Sequence, residues 1–175
     1  MAVILQVALD FVDLHRAVKV AGEAIEGGAD WLEIGTPLIK SEGMNAVRHL
    51  RKLFPAATLL ADMKTMDAGR AEMEMAAKAG ANIAVVMGDA PESTIKECVQ
   101  AGKNYGIKIC VDFINTAKVE ERVADIEKWG ADYIAIHTAI DDQMHGKTPF
   151  SALQHICSKV KIPVAVAGGI NSENV

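Results

Sequence analysis

Gly28-Ala29-Asp30-Trp31 returns as Gly80-Ala81-Asn82-Ile83 and again as Gly130-Ala131-Asp132-Tyr133, at intervals of about fifty residues. Each copy follows an amphipathic run and precedes an apolar one. Glycine suits the left-handed residue that ends a helix, and a small alanine with a turn-forming Asp or Asn then leads into a strand. The repeat therefore marks helix-to-strand junctions, and its period holds two strand–helix units. Working outward, β-rich runs fall at 3–9, 31–34, 58–61, 83–87, 107–111, 133–136 and 164–167, with helical patterns at 14–25, 43–53, 71–79, 92–105, 119–129 and 150–160. Most of the short runs are almost continuously apolar, as parallel strands covered on both faces are.

That alternation is α/β. An open doubly wound sheet calls for a glycine-rich phosphate turn after its first strand, but the first run here ends in Leu9-Asp10-Phe11, and neither G-x-G-x-x-G nor a P-loop occurs. The expected architecture is a (β/α)8 TIM barrel forming one domain over residues 1–175. Only seven strands can be placed, so strand eight and its flanking helices are expected to lie beyond Val175. A chain ending there would leave two sheet edges open, and we expect it to be fragile and to hold a phosphate ester weakly.

Half of the 175 residues are hydrophobic, ample for one core, and the formal charge is −5. Without a basic cluster, nucleic acid is not an expected partner, because phosphate-backbone binding needs a concentrated positive face. The apolar start at 3–9 lacks a basic flank and is far shorter than a membrane span, so no membrane association is expected either. Cys98, Cys110 and Cys157 are odd in number and widely spaced. They read as buried, reduced thiols of a cytoplasmic protein.

The C-terminal ends of the strands carry Asp10, Glu33, Asp62 with Lys64, Asp112, His137 and Gly168-Gly169, which is where a barrel of this kind keeps its active site. Each has a plainer reading alone, an aspartate as a helix N-cap, His137 as a hydrogen-bonded structural histidine, Asp62 and Lys64 as a strand-end ion pair. Their coincidence at successive strand ends favours chemistry. If the strand at 58–61 continues extended to Lys64, Asp62 and Lys64 project from one face and hold each other charged. Glu33 and Asp62 offer hard oxygens suited to Mg²⁺, and glycines after strand seven let backbone N–H groups approach a phosphate.

The segment Asp62-Met63-Lys64-Thr65-Met66-Asp67, with Leu32-Glu33-Ile34-Gly35-Thr36-Pro37 before it and His137-Thr138-Ala139-Ile140-Asp141 after it, resembles the orotidine 5'-monophosphate decarboxylase superfamily. Within that superfamily the chain most resembles the 3-hexulose-6-phosphate synthases, from Leu5 to Ile170. The resemblance implies a Mg²⁺-dependent aldehyde-lyase that joins formaldehyde to D-ribulose 5-phosphate, or runs in reverse, through an enediolate. It makes Glu33 and Asp62 metal ligands, and Lys64 the charge beside the enediolate oxygen. His137 is the expected base, since an imidazole near its usual pKa of ~6.5 suits proton exchange near neutrality. Asp112 is a second candidate base or a ligand of a substrate hydroxyl, and Asp10 orients Lys64 or a hydroxyl. Asp67 lies beyond its strand, and the resemblance implies that it is supplied across a two-fold homodimer. The nearest alternative in mechanism is 3-keto-L-gulonate-6-phosphate decarboxylase, in which an arginine stands three residues after the strand-six histidine; that place is Ile140 here. A reading of another class is a non-catalytic barrel fragment or assembly module.

Overall fold

The computed structural model describes residues 3–116 and 119–175, the side chains of 151 and 152 excepted. In chain order the elements are β1 (Gln6–Leu9), α1 (Leu14–Glu26), β2 (Trp31–Ile34), α2 (Thr36–Glu42), α3 (Met44–Leu53), β3 (Thr58–Thr65), α4 (Gly69–Ala79), β4 (Ile83–Met87), α5 (Glu92–Tyr105), β5 (Lys108–Asp112), α6 (Val119–Trp129), β6 (Tyr133–His137), α7 (Ile140–Gln143), α8 (Phe150–Cys157) and β7 (Val164–Ala167). The strands form one seven-stranded parallel sheet in the order β1 to β7, each pairing with its neighbour in sequence. Such an order has no reversal point, which sets it apart from a doubly wound sheet.

The sheet curls into a partial barrel, and two rings prove it. β2 and β6 stand four places apart in the order, a gap of about 19 Å across a flat sheet with ~4.8 Å spacing. Yet the rings of Trp31 and Tyr133 meet edge to face with centroids 5.4 Å apart. Around them Leu60, Ile83, Val85, Cys110 and Ala135 form the inner core. Alternate strand residues such as Leu32, Ile34, Leu59, Ala84, Val86, Ile109 and Ile134 face outward into the larger core beneath the helices. Continuing the inward alternation from Trp31, Leu60, Cys110 and Tyr133 reaches Glu33, Asp62, Asp112 and His137, which delivers the polar residues to one mouth.

The repeated tetrapeptide does more than turn the chain. Gly28, Gly80 and Gly130 take φ of +93°, +101° and +93°, and the N–H of the following alanine reaches back to Ala24, Ala76 and Ile126 in Schellman closures. The third residue then grips the neighbouring strand. Asp30, Asn82 and Asp132 accept the backbone N–H of Leu5, Leu59 and Ile109 at 2.8, 2.8 and 2.9 Å. Each also donates its own N–H to the carbonyl of that same residue.

Several expectations need correction. β1 starts at Gln6 instead of residue 3, and Val3 to Leu5 are exposed. α2 was not foreseen; it is a short helix that starts after Gly35 with Pro37 in its first turn. β3 runs on to Thr65, but not as a regular strand, since Ala61 pairs with Ala84 and Thr65 with Val86. Two extra residues are absorbed there, and Lys64 takes a left-handed φ of +46°. Cys98 and Cys110 are buried, but Cys157 is exposed, so it is not a core thiol. Among the described residues no helix is long and apolar enough to cross a membrane.

Candidate active site

Asp112 organises the mouth. It ends β5 and is 3% exposed. Its Oδ2 accepts from Lys64 Nζ at 2.8 Å and lies 3.0 Å from His137 Nδ1, while its Oδ1 accepts the Ile114 N–H at 2.9 Å. Burial pushes this carboxyl up, but the His137 hydrogen bond and the Lys64 charge outweigh it and hold Asp112 below the usual carboxylate range. A carboxylate so committed is a poor proton acceptor, which favours His137 over Asp112 as the candidate base. An ionised carboxylate only accepts hydrogen bonds, so Nδ1 of His137 carries the proton and Nε2 is left as the basic nitrogen.

Lys64 sits between two carboxylates, with Nζ 3.1 Å from Asp62 Oδ2 and 2.8 Å from Asp112 Oδ2. Burial works against its charge, but Asp62 and Asp112 prevail and the ammonium titrates above its ordinary value. The ion pairs of Lys64 are with Asp62 and Asp112, so of the two roles expected of Asp10, orienting Lys64 or a substrate hydroxyl, the first would act through charge at a distance. The Asp10 carboxyl packs instead against Gly35, where a Cβ would lie 2.0 Å from its Oδ1. Its pKa is raised by desolvation and then by Asp62, with Lys64 and His137 pulling the other way. That places it within electrostatic range of the cluster.

Asp62 is 5% exposed and also accepts from Thr36 Oγ1 at 2.6 Å. Glu33 accepts from Gln6 Nε2 at 2.5 Å. Burial, and after it the charge of Asp62, push Glu33 up to about 7. A buried Glu33 carboxyl that resists ionising beside Asp62 is an arrangement a divalent cation relieves. Among the described residues no group of three or more His, Cys, Asp or Glu side chains could hold a metal. A site completed by protein alone does not fit; Mg²⁺ bound by one or two carboxylates, with substrate and water supplying the other oxygens, does.

The structure does not bring Asp67 into this cluster. It lies past β3, hydrogen-bonded to the Ala68 N–H at 2.7 Å, and lines a separate cleft of about 480 Å³ with Arg70, Glu74, Ser93 and Glu97. Gly168 and Gly169 follow β7 with φ of +90° and +72°, beside the end of β6. Gln6, Thr36 and Gln143 are contributors that the sequence reading missed. Gln6 had a signal: it is polar inside an apolar strand, two and four residues before Ala8 and Asp10 on the same face.

Residues 4–175 match the model of the orotidine 5'-phosphate decarboxylase / HUMPS family. The chain belongs to that family. Among its HUMPS relatives, the 3-hexulose-6-phosphate synthase of Bacillus subtilis (strain 168) is 41% identical over 172 residues, 98% of this chain and 81% of its own. That of Methylomonas aminofaciens is 41% identical over 171 residues. The crystal structure of the Salmonella typhimurium 3-hexulose-6-phosphate synthase superposes with a TM-score of 0.93 at 35% identity, over 98% of this chain and 81% of that one. A 3-keto-L-gulonate-6-phosphate decarboxylase from Vibrio cholerae follows at 0.87 and 29%, over 97% and 80%. With such relatives the chain is an enzyme of the lyase class.

Proposed function

We propose that this family member condenses formaldehyde with D-ribulose 5-phosphate to 3-hexulose 6-phosphate, or cleaves that product, by Mg²⁺-dependent aldol chemistry in the cytoplasm. The observation that carries the reading is the convergence of Lys64 and His137 on one carboxylate oxygen of Asp112. It supplies a fixed cation beside a basic nitrogen.

Glu33 and Asp62 would hold the Mg²⁺, which when bound would supply the positive charge that polarises the C2 carbonyl of the sugar. His137 Nε2 removes a proton from C1, and Asp112 stabilises the imidazolium that forms. Lys64 stands where negative charge develops on oxygen, so it favours the enediolate over the ketone. C1 then bonds to the formaldehyde carbon as the C2 carbonyl re-forms, and the formaldehyde oxygen, left as an alkoxide, takes the proton back from His137. Asp10 lies at the lip, available to a sugar hydroxyl. Gly168 and Gly169 receive the phosphate. Asp67, set apart from its own cluster, serves the site of a second subunit in a homodimer.

The decarboxylase reading has support from the Vibrio cholerae structure, but Ile140 is 68% exposed and cannot donate the hydrogen bonds of the arginine expected there. Turnover of ribulose 5-phosphate with formaldehyde, with and without Mg²⁺, tests the proposal beside turnover of 3-keto-L-gulonate 6-phosphate. Metal-dependent loss of formaldehyde with little decarboxylation is expected. Faster decarboxylation would transfer the assignment, and turnover of neither substrate would favour an assembly module.

A further inference from the structure

Gln143, the last residue of α7, spans the ends of β6 and β7. Its Nε2 donates to the Thr138 carbonyl at 2.8 Å, and its Oε1 accepts the Gly169 N–H at 2.9 Å. These two partners fix the orientation of the amide, because a carbonyl needs a donor and an N–H needs an acceptor. The junction is tight. A Cβ on Gly168 would lie 2.3 Å from the Thr138 oxygen and 2.8 Å from Gln143 Nε2. A backbone bond from the Thr138 N–H to the Ala167 carbonyl, 3.0 Å, closes the same seam.

Two successive glycines with positive φ are costly to order, since glycine loses more conformational freedom than any other residue. Asn174 Nδ2 holds the Gly169 carbonyl at 3.1 Å, and among the described residues Gln143 is the side chain that ties Gly169 to Thr138 at the end of β6. From this bridge we propose that Gln143 is a positioning residue of the phosphate grip: it holds Gly168-Gly169 ordered and in register with the β6 mouth before a phosphate ester arrives. This rests on the reading of Gly168-Gly169 as the phosphate site.

The consequence is a split in kinetic effect. Gln143 touches no reacting atom in this arrangement, so its loss acts on binding of the phosphate and leaves the proton and carbon steps alone. Gln143→Met keeps the side-chain length and removes both hydrogen bonds. Gln143→Glu keeps an acceptor for Gly169 but removes the donor to Thr138.

The test uses the full chain labelled with ¹⁵N, titrated with inorganic phosphate while the Gly168 and Gly169 amide signals are followed, alongside steady-state kinetics with ribulose 5-phosphate. Wild type should show both signals moving with phosphate. In Gln143→Met the phosphate Kd and the KM should rise roughly five- to tenfold with kcat within about twofold, at an unchanged melting temperature. Gln143→Glu should weaken phosphate at least as much, because it adds a charge of the wrong sign. If neither glycine signal responds in wild type, the phosphate reading falls and this inference falls with it. If wild type responds and Gln143→Met binds phosphate equally or more tightly, or loses kcat instead of affinity, the inference alone is overturned.

Discussion

His137 Nδ1 and Asp112 Oδ2 lie 3.0 Å apart, and the same oxygen is 2.8 Å from Lys64 Nζ. One carboxylate thus fixes the tautomer of the proposed base and pairs the ammonium that, in the proposed mechanism, faces the developing charge. Asp112→Asn keeps the shape and removes the charge. It should lower kcat by about 100-fold or more, ~2.7 kcal/mol of transition-state stabilisation, with a melting temperature close to wild type. Retention of kcat within a few-fold would show that His137 does not depend on Asp112.

Asp67 lines its own cleft with Arg70 and Glu97, apart from Lys64. In the proposed homodimer, Lys64→Ala and Asp67→Ala chains should each be inactive alone and complement one another on mixing. Random reassortment leaves one intact site in half of the dimers, about a quarter of wild-type activity. Mass-spectrometric proof of exchange without recovery would place the whole site in one chain.

Glu33 has an ordinary value of 4.5 and is pushed up to about 7 in the folded protein. Between those limits the folded chain keeps a proton that the unfolded chain has released. Stability of the metal-free protein should therefore fall as pH rises from 4.5 to 7, with no further slope from this group above that. Urea midpoints measured in EDTA should fall across this window in wild type, and less steeply in Glu33→Gln, which should also be the more stable at pH 7.5. Parallel profiles for the two proteins would refute the assignment.

Asn82 accepts the N–H of Leu59, which is fully buried, and also the Arg51 guanidinium at 2.5 Å. Asn82→Leu should cost about 1–2 kcal/mol through the stranded N–H at the start of β3. Chemical denaturation measures it. A neutral substitution would mean that water replaces the amide.

The order of elements was legible because each junction is written in four consecutive residues: Gly28, Gly80 and Gly130 impose local geometry that needs no tertiary information. The polar strand ends were legible for a related reason, each being one residue at the close of an apolar run. What escaped depends on neighbours. The displacement of Lys64 is visible only against the pairing of β3 with β4, and the role of Asp112 as a shared acceptor needs three strands in place at once. Thr36 and Gln143 belong to helices of seven and four residues, too short to leave a periodic signature.

The irregularity in β3 is where the ammonium enters the sheet. Ala61 pairs with Ala84 and Thr65 with Val86, so a chain lacking Met63 and Lys64 would pair Asp62 with Val85 and run evenly along β4. That deletion smooths the sheet and removes the ammonium in one event. In the proposed mechanism the evenly paired strand is therefore the inert one, and the reaction depends on a fault in the sheet.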